Sequence, residues 1–119
     1  MNTLFLVSMI VEVIFGVGFV LAPGALLGPM GVTLNEIATT FARLFGSAII
    51  SFPVLLWFAR KSDKAEFRKG VVNSLFVYYL VSTVLLLLTQ LSGQMNAMGW
   101  SVVVLHLVLT LWFGYFLVK

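Results

Sequence analysis

Four long apolar segments alternate along this chain with short stretches that are polar or rich in glycine and proline. A helix of about 20 residues rises roughly 30 Å, which is enough to cross the hydrocarbon core of a bilayer. The pattern predicts helices at about residues 3–22, 36–59, 71–91 and 100–118. We therefore expect an all-α polytopic membrane protein with a single domain, folded as a four-transmembrane-helix bundle.

Local signals mark the ends of these helices. Pro23 and Gly24 should end the first helix, because proline lacks a backbone N–H and glycine is flexible. Asn35 is suited to cap the second helix, and Pro53 is expected to kink it or to widen one turn. The segment 23–34 is rich in glycine and proline yet apolar. We expect it to lie in the membrane interface or to fold back against the bundle.

The first apolar segment is predicted to be a retained helix rather than a signal peptide. No Lys or Arg precedes Leu4, and the apolar run to Ala22 is longer than the hydrophobic region of a signal peptide.

Composition supports the membrane prediction and excludes several kinds of site. The chain is 61% hydrophobic and 9% charged, whereas a soluble domain carries about 25% charged residues. The absence of cysteine excludes disulfides and thiolate metal sites. No motif assembles a nucleophile with its base, a phosphate-binding loop or a set of metal ligands, so we predict no catalytic residue and no metal site, while lipid or quinone chemistry inside the membrane stays open. The cofactor stays open, since one histidine can still hold a porphyrin.

Basic residues cluster in the predicted loop between the second and third helices. They are Arg60, Lys61, Lys64, Arg68 and Lys69. Positively charged loops stay in the cytoplasm, and an even number of crossings brings Lys119 to the same side. We expect both termini to be cytoplasmic, in a bacterial inner membrane. The clustering also means that the net charge of +3 does not predict nucleic-acid binding.

Each predicted helix carries polar or small residues at four-residue spacing, which places them on one face. The rows are Ser8, Glu12 and Gly16; Thr39, Arg43, Ser47 and Ser51; Ser74, Tyr78, Ser82 and Gln90; and His106, Thr110 and Gly114. Polar groups are costly inside a bilayer, so we expect the rows to face inward. The residues that reach one polar layer are candidates for a ligand or proton site: Glu12, Arg43, Ser47, Tyr78, Ser82 and His106.

Glu12 and Arg43 are predicted to form a buried contact, because their depths differ by about one helical turn. One interpretation is structural, with the pair fixing the first helix against the second. Another makes the pair part of a ligand or proton site. In a third interpretation, Arg43 extends outward to lipid headgroups, where it could also meet Glu36.

Two families resemble parts of the chain. Met9–Gly16, around Glu12, is similar to the segment of the small multidrug resistance exporters whose glutamate exchanges protons for cationic drugs. The later aromatic and glycine pattern of those exporters is missing here, and the charge bias argues against their dual topology. Leu21–Val32 and Asn35–Ile49 resemble the DoxX-like group of small four-helix membrane proteins, most of them uncharacterised. That resemblance implies the four-helix architecture and no particular activity or functional residue.

These observations lead us to expect a non-enzymatic membrane protein with a polar pocket inside the bundle. The pocket would bind a small or lipid-like ligand, or the protein would pack as an accessory subunit of a membrane complex. The alternative is a small proton-coupled transporter using Glu12. The expected partners are the lipid bilayer and either further copies of the chain or a larger membrane complex.

Overall fold

The computed structural model describes all 119 residues, and its only regular elements are helices. The α-helices are α1 Asn2–Leu21, α2 Pro23–Leu27, α3 Glu36–Ile49, α4 Ser51–Lys61, α5 Ala65–Leu91 and α6 Gly99–Val118, and a 3-10 helix, Gly28–Met30, follows α2. Helices α3 and α4 form one continuous segment, so four segments are long and apolar enough to cross a membrane. The prediction of an all-α fold with four long apolar segments is confirmed.

The helices associate as two pairs. Helix α1 packs along α3 and α4, while α5 packs along α6, and the pairs meet mainly where α4 contacts α5 and α1 contacts α6. We call the end that carries residues 60–69 and both termini the basic end. The opposite end, formed by α2, the 3-10 helix and the turn 92–98, is the capped end.

The second long segment is interrupted at Ile50, between α3 and α4. Pro53 has no N–H to donate to the carbonyl of Ile49, so the helical hydrogen-bond pattern is broken one turn before the proline. The distortion expected at Pro53 is therefore present.

The charged segment 60–70, expected to be a loop, is mostly helical. Helix α5 begins at Ala65 rather than at Val71, which leaves only Ser62–Lys64 as a connection. Ala65 and Glu66 favour helix, and Glu66 lies in the first turn, where the helix dipole stabilises a negative charge. The hydrophobic pattern of the sequence predicted only the apolar part of this helix, from Val71 onward.

Arg68, one of the basic residues read as a topology signal, also ties the basic end together. Its guanidinium donates hydrogen bonds to the carbonyls of Ala59 (3.0 Å) and Ser62 (3.3 Å) and to Oδ1 of Asn2 (2.7 Å). It thereby satisfies free carbonyls at the end of α4 and links them to the start of α1.

The hydrophobic core lies mainly in the basic half of the bundle. Its ten buried residues are Leu4, Phe5, Leu56, Ala59, Val71, Val72, Leu75, Tyr79, Leu109 and Phe113. They come from the start of α1, the end of α4, the first half of α5 and the last half of α6. The capped half has no comparable cluster, and a cavity lies there.

Candidate functional site

A chain of hydrogen bonds crosses the middle of the bundle from α1 to α5. The hydroxyl of Tyr79 donates to Oε1 of Glu12 at 2.7 Å, and the same hydroxyl lies 2.7 Å from Oγ of Ser8. Because Tyr79 uses its proton on Glu12, Ser8 is the donor to Tyr79. Ser8 and Glu12 lie one turn apart on α1, so a single tyrosine can bond to both.

Only one oxygen of the Glu12 carboxyl is satisfied by the protein. Oε2 is buried and has no hydrogen-bond partner, and the residue is 1% exposed. A buried polar atom without a partner costs about 1–3 kcal/mol. The fold therefore keeps a buried oxygen without a hydrogen-bond partner at this point, which is typical of a site that contacts a molecule or ion outside the protein chain.

His106 on α6 presents a second atom that makes no hydrogen bond in the protein. Nδ1 lies 2.8 Å from the carbonyl oxygen of Val102 one turn earlier on α6. A carbonyl can only accept, so Nδ1 carries the proton of the ring, and Nε2 of the neutral ring is an acceptor. The His106 ring packs edge-to-face with the rings of Tyr79 and Phe15, at 5.8 and 6.3 Å between centroids, which holds its orientation.

A cavity of about 230 Å³ occupies the capped half of the bundle. Twelve of its 15 lining residues are hydrophobic, among them Phe15, Phe19 and Phe45. Its polar lining residues are Glu12, Ser82 and His106, and Tyr78 lines it as well. A largely apolar cavity with a few converging polar groups is the usual form of a small-molecule site.

The wall of the cavity is incomplete between α3 and α5. Phe45 on α3 is 42% exposed and Leu85 on α5 is 59% exposed, although both line the cavity. Helix α3 packs on α1 rather than on α5. A gap on the side of the bundle therefore connects the cavity with its surroundings.

The capped end is held closed by Asn96. Its backbone N–H donates to the carbonyl of Met30 (2.9 Å), and its side-chain Nδ2 donates to that of Pro29 (3.0 Å). Gln90 in turn donates to the carbonyl of Asn96 at 3.0 Å. Gly31 has φ of 79°, and a Cβ there would lie 3.3 Å from Nδ2 of Asn96, so glycine suits this turn. The segment 23–34 thus folds back against the bundle.

The structure brings together four of the six predicted site residues. Glu12, Tyr78, Ser82 and His106 line the same cavity. Arg43 and Ser47 do not line it, because both are exposed on the outer face of α3.

The predicted contact between Glu12 and Arg43 is wrong. Glu12 bonds to Tyr79, and Arg43 faces outward. Gly46 and Ile49 are the buried residues of α3, and at about 100° per residue Arg43 lies roughly 120° around the helix from Ile49. The glycine face lies against α1 because it allows the closest approach of the two backbones.

The polar row of the second predicted helix consequently faces outward, unlike the row on α1. Its hydroxyls are satisfied without a neighbouring helix: Ser47 bonds to the carbonyl of Leu44 (2.7 Å) and Thr39 to that of Asn35 (2.8 Å). Serine and threonine that bond to their own helix do not need an inward position.

Sequence reasoning missed two residues that organise the site. Tyr79 is not among the predicted site residues, although its spacing of four from the buried Leu75 and Thr83 places it on the inner face of α5. Asn96 lies in a polar turn, and nothing in the sequence signals its contacts with Pro29 and Met30.

Comparison with known proteins gives one match. No curated protein and no solved structure matches this chain. A family model described as a domain of unknown function, DUF8292, matches residues 6–119. The match spans nearly the whole chain, and the chain therefore belongs to the DUF8292 family.

Proposed function

We propose that this chain is an integral membrane protein that crosses the bilayer four times. Its four long apolar segments support this assignment. Large apolar side chains are exposed along every long segment, for example Ile14, Phe41, Leu88 and Leu111, which would aggregate a soluble protein but suits contact with lipid. The longest dimension of 44 Å matches a bilayer of about 40–45 Å including headgroups.

In the proposed orientation the basic end faces the cytoplasm. Six of the seven Lys and Arg residues belong to residues 60–69 or to the C-terminus, whereas α2, the 3-10 helix and the turn 92–98 contain none. That asymmetry supports cytoplasmic termini by the positive-inside rule.

The proposed function is non-enzymatic binding of a small amphipathic ligand in the cavity. The observation that carries this proposal is the apolar cavity lined by Glu12 and His106, whose Oε2 and Nε2 atoms make no hydrogen bond within the protein. A ligand with an apolar body and a polar end would fill the space and offer these atoms partners.

Filling the cavity tests the proposal. Ser82→Phe puts a ring into the cavity, while Ser74→Phe makes the same change at an exposed position of the same helix. We expect mass spectrometry of protein purified in mild detergent to find an amphiphile bound to wild type and Ser74→Phe, and lost from Ser82→Phe. Equal amounts on all three proteins would rule out the cavity as the binding site.

Proton-coupled transport using Glu12 is the second candidate. It is supported by the cavity, which reaches Glu12 from the capped half, and by the absence of a cationic partner for this carboxyl. Proteoliposomes with an imposed pH gradient test it with a pH-sensitive dye. Transport predicts proton movement that Glu12→Gln abolishes, and proton movement that is the same in Glu12→Gln would refute it.

Packing as an accessory subunit has a separate support. Arg43 is exposed within a membrane-spanning segment and forms no ion pair, and charges at such positions usually face a partner or extend to the interface. An assembly through this face predicts a larger particle for wild type than for Arg43→Ala in native mass spectrometry from nanodiscs. A monomer for both proteins would contradict it.

A further inference from the structure

We infer that the cavity selects an uncharged amphiphile whose head group carries a hydroxyl, and that this ligand enters from the bilayer through the gap between α3 and α5. The inference rests on the proposed binding function and names its ligand class.

The first step concerns the route into the cavity. Phe45 and Leu85 are the lining residues with exposed side chains, and they stand on opposite sides of the gap. At the capped end, Leu26 and Met30 cover the cavity, and Asn96 bonds this cover to the turn 92–98. The open route is therefore lateral, at the depth of the apolar segments, and not through the capped end.

The second step concerns charge. A ligand that takes the lateral route passes through hydrocarbon, where an ionised head group is strongly disfavoured. No Lys or Arg lines the cavity, so an anionic head would also lack a counter-charge after entry. Passage through hydrocarbon disfavours a head group of either charge, and the lining further disfavours an anionic one.

The third step concerns hydrogen bonds. Nε2 of His106 can only accept from a ligand, and Oε2 of Glu12 has no partner in the protein. A head group that only accepts, such as a ketone or an ester, would leave His106 unmatched. A hydroxyl donates its one proton to Nε2 of His106, and its oxygen can accept from the hydroxyl of Ser82 or from Oε2 of Glu12 when that carboxyl is protonated.

The volume limits how much of the ligand is enclosed. At about 230 Å³ the cavity is smaller than the roughly 300–1,000 Å³ of sites that enclose drug-sized ligands. The cavity therefore holds the head group of the ligand and the first part of its apolar tail. The rest of the chain extends through the gap between Phe45 and Leu85 into the bilayer.

Three probes with one tail test the head-group selection: dodecanol, dodecanoate and dodecylamine. Binding is measured as radiolabelled probe retained by nanodiscs that contain the protein, above that of empty nanodiscs. We expect dodecanol to bind about tenfold more tightly than either charged probe, the ratio that one well-matched hydrogen bond supplies. His106→Phe, which keeps a ring but removes the acceptor, should reduce this preference, and Arg43→Gln, outside the cavity, should preserve it.

A matched pair of tryptophan substitutions tests the route. Leu85 and Leu88 are each 59% exposed on α5, but only Leu85 lines the cavity. Leu85→Trp should slow the association of dodecanol several-fold by narrowing the gap, while Leu88→Trp should leave the rate unchanged.

The outcomes separate this inference from the function on which it rests. If dodecanoate or dodecylamine binds wild-type protein as tightly as dodecanol, the head-group selection is wrong although the cavity binds amphiphiles. Equal association rates for Leu85→Trp, Leu88→Trp and wild type would refute lateral entry. If none of the three probes binds above the level of empty nanodiscs, the inference fails, and so does binding of simple amphiphiles in the cavity. If mass spectrometry then finds a different co-purified amphiphile that Ser82→Phe removes, the binding function stands without the inference.

Discussion

At the scale of single residues, Tyr79 connects the polar groups of α1 with the core of α5. Its ring is completely buried among the apolar core residues and stacks on Phe113 at 5.4 Å between centroids, while its hydroxyl bonds to Ser8 and Glu12. One side chain thus contributes to packing and satisfies a buried carboxyl. A buried tyrosine usually has such a partner for its hydroxyl.

We predict that Tyr79→Phe destabilises the protein by about 1–3 kcal/mol, because Ser8 and Glu12 both lose their partner without a change in packing. The control is Tyr78→Phe at the neighbouring position, where the hydroxyl makes no hydrogen bond to α1. Unfolding by denaturant in detergent micelles measures both. Equal losses in the two variants would show that the bridge to α1 contributes nothing.

Arg43 provides a second prediction at this scale. Because it has no ion pair and lies on the exposed face of α3, Arg43→Gln should change the free energy of unfolding by less than about 0.5 kcal/mol. The loss of a buried ion pair with Glu12 would instead cost about 3–5 kcal/mol. The same unfolding measurement decides between these values, and a loss in the higher range would support the predicted contact between Glu12 and Arg43.

At the scale of elements, the crossing of α1 and α3 depends on Gly46. A Cβ at this position would lie 2.7 Å from Cβ of Phe19 and 2.9 Å from the carbonyl oxygen of Gly16. Neither atom is the end of a flexible side chain, so the helices would have to separate. The crossing also brings Phe19 and Phe45 together, with ring centroids 5.3 Å apart, at the wall of the cavity.

The same substitution at two helical glycines should therefore have opposite effects. Gly46→Ala should destabilise the protein by about 1–3 kcal/mol through overpacking. Gly70→Ala, where the added Cβ meets nothing within 4 Å, should stabilise it by up to about 1 kcal/mol through helix propensity. Thermal unfolding of the two variants in one detergent is the measurement. An unchanged or higher stability of Gly46→Ala would show that α1 and α3 are not closely packed at this point.

At the scale of the whole molecule, the two halves of the bundle differ. The basic half is filled by the hydrophobic core, and the capped half encloses the cavity under the cover held by Asn96. Because the two helix pairs meet mainly through α4 and α5, they can remain apart where α3 faces α5. Glu12 and His106 are consequently reached through the capped half of the bundle.

Orientation is the prediction that belongs to this scale. The chain has no cysteine, so single cysteines at Asp63 and Gln94, both exposed, can be labelled without background. With intact cells and a membrane-impermeant maleimide, we expect Gln94→Cys to react and Asp63→Cys to react only after lysis. The reverse pattern would place the basic end outside, and reaction at both sites in intact cells would indicate dual orientation.

The sequence alone determined the number and approximate extent of the long helices, because runs of apolar residues and the proline and glycine positions are local properties. It also placed Glu12 and His106 on the inward faces of their helices, since each belongs to a row of polar and small residues along its helix. The local pattern did not decide which of two neighbouring stripes on α3 faces inward, the row that contains Arg43 or the stripe that contains Gly46. Close packing against Gly16 selected the stripe of Gly46 and turned Arg43 outward.

Only the tertiary structure assigned Tyr79 as the partner of Glu12, since the two residues are 67 positions apart in the chain. The same holds for Asn96 and its contact with Pro29, and for the gap beside Leu85. The physical reason is that a cavity is set by how far helices stay apart, which depends on side-chain volumes at every crossing. Periodicity along one helix carries no information about that distance.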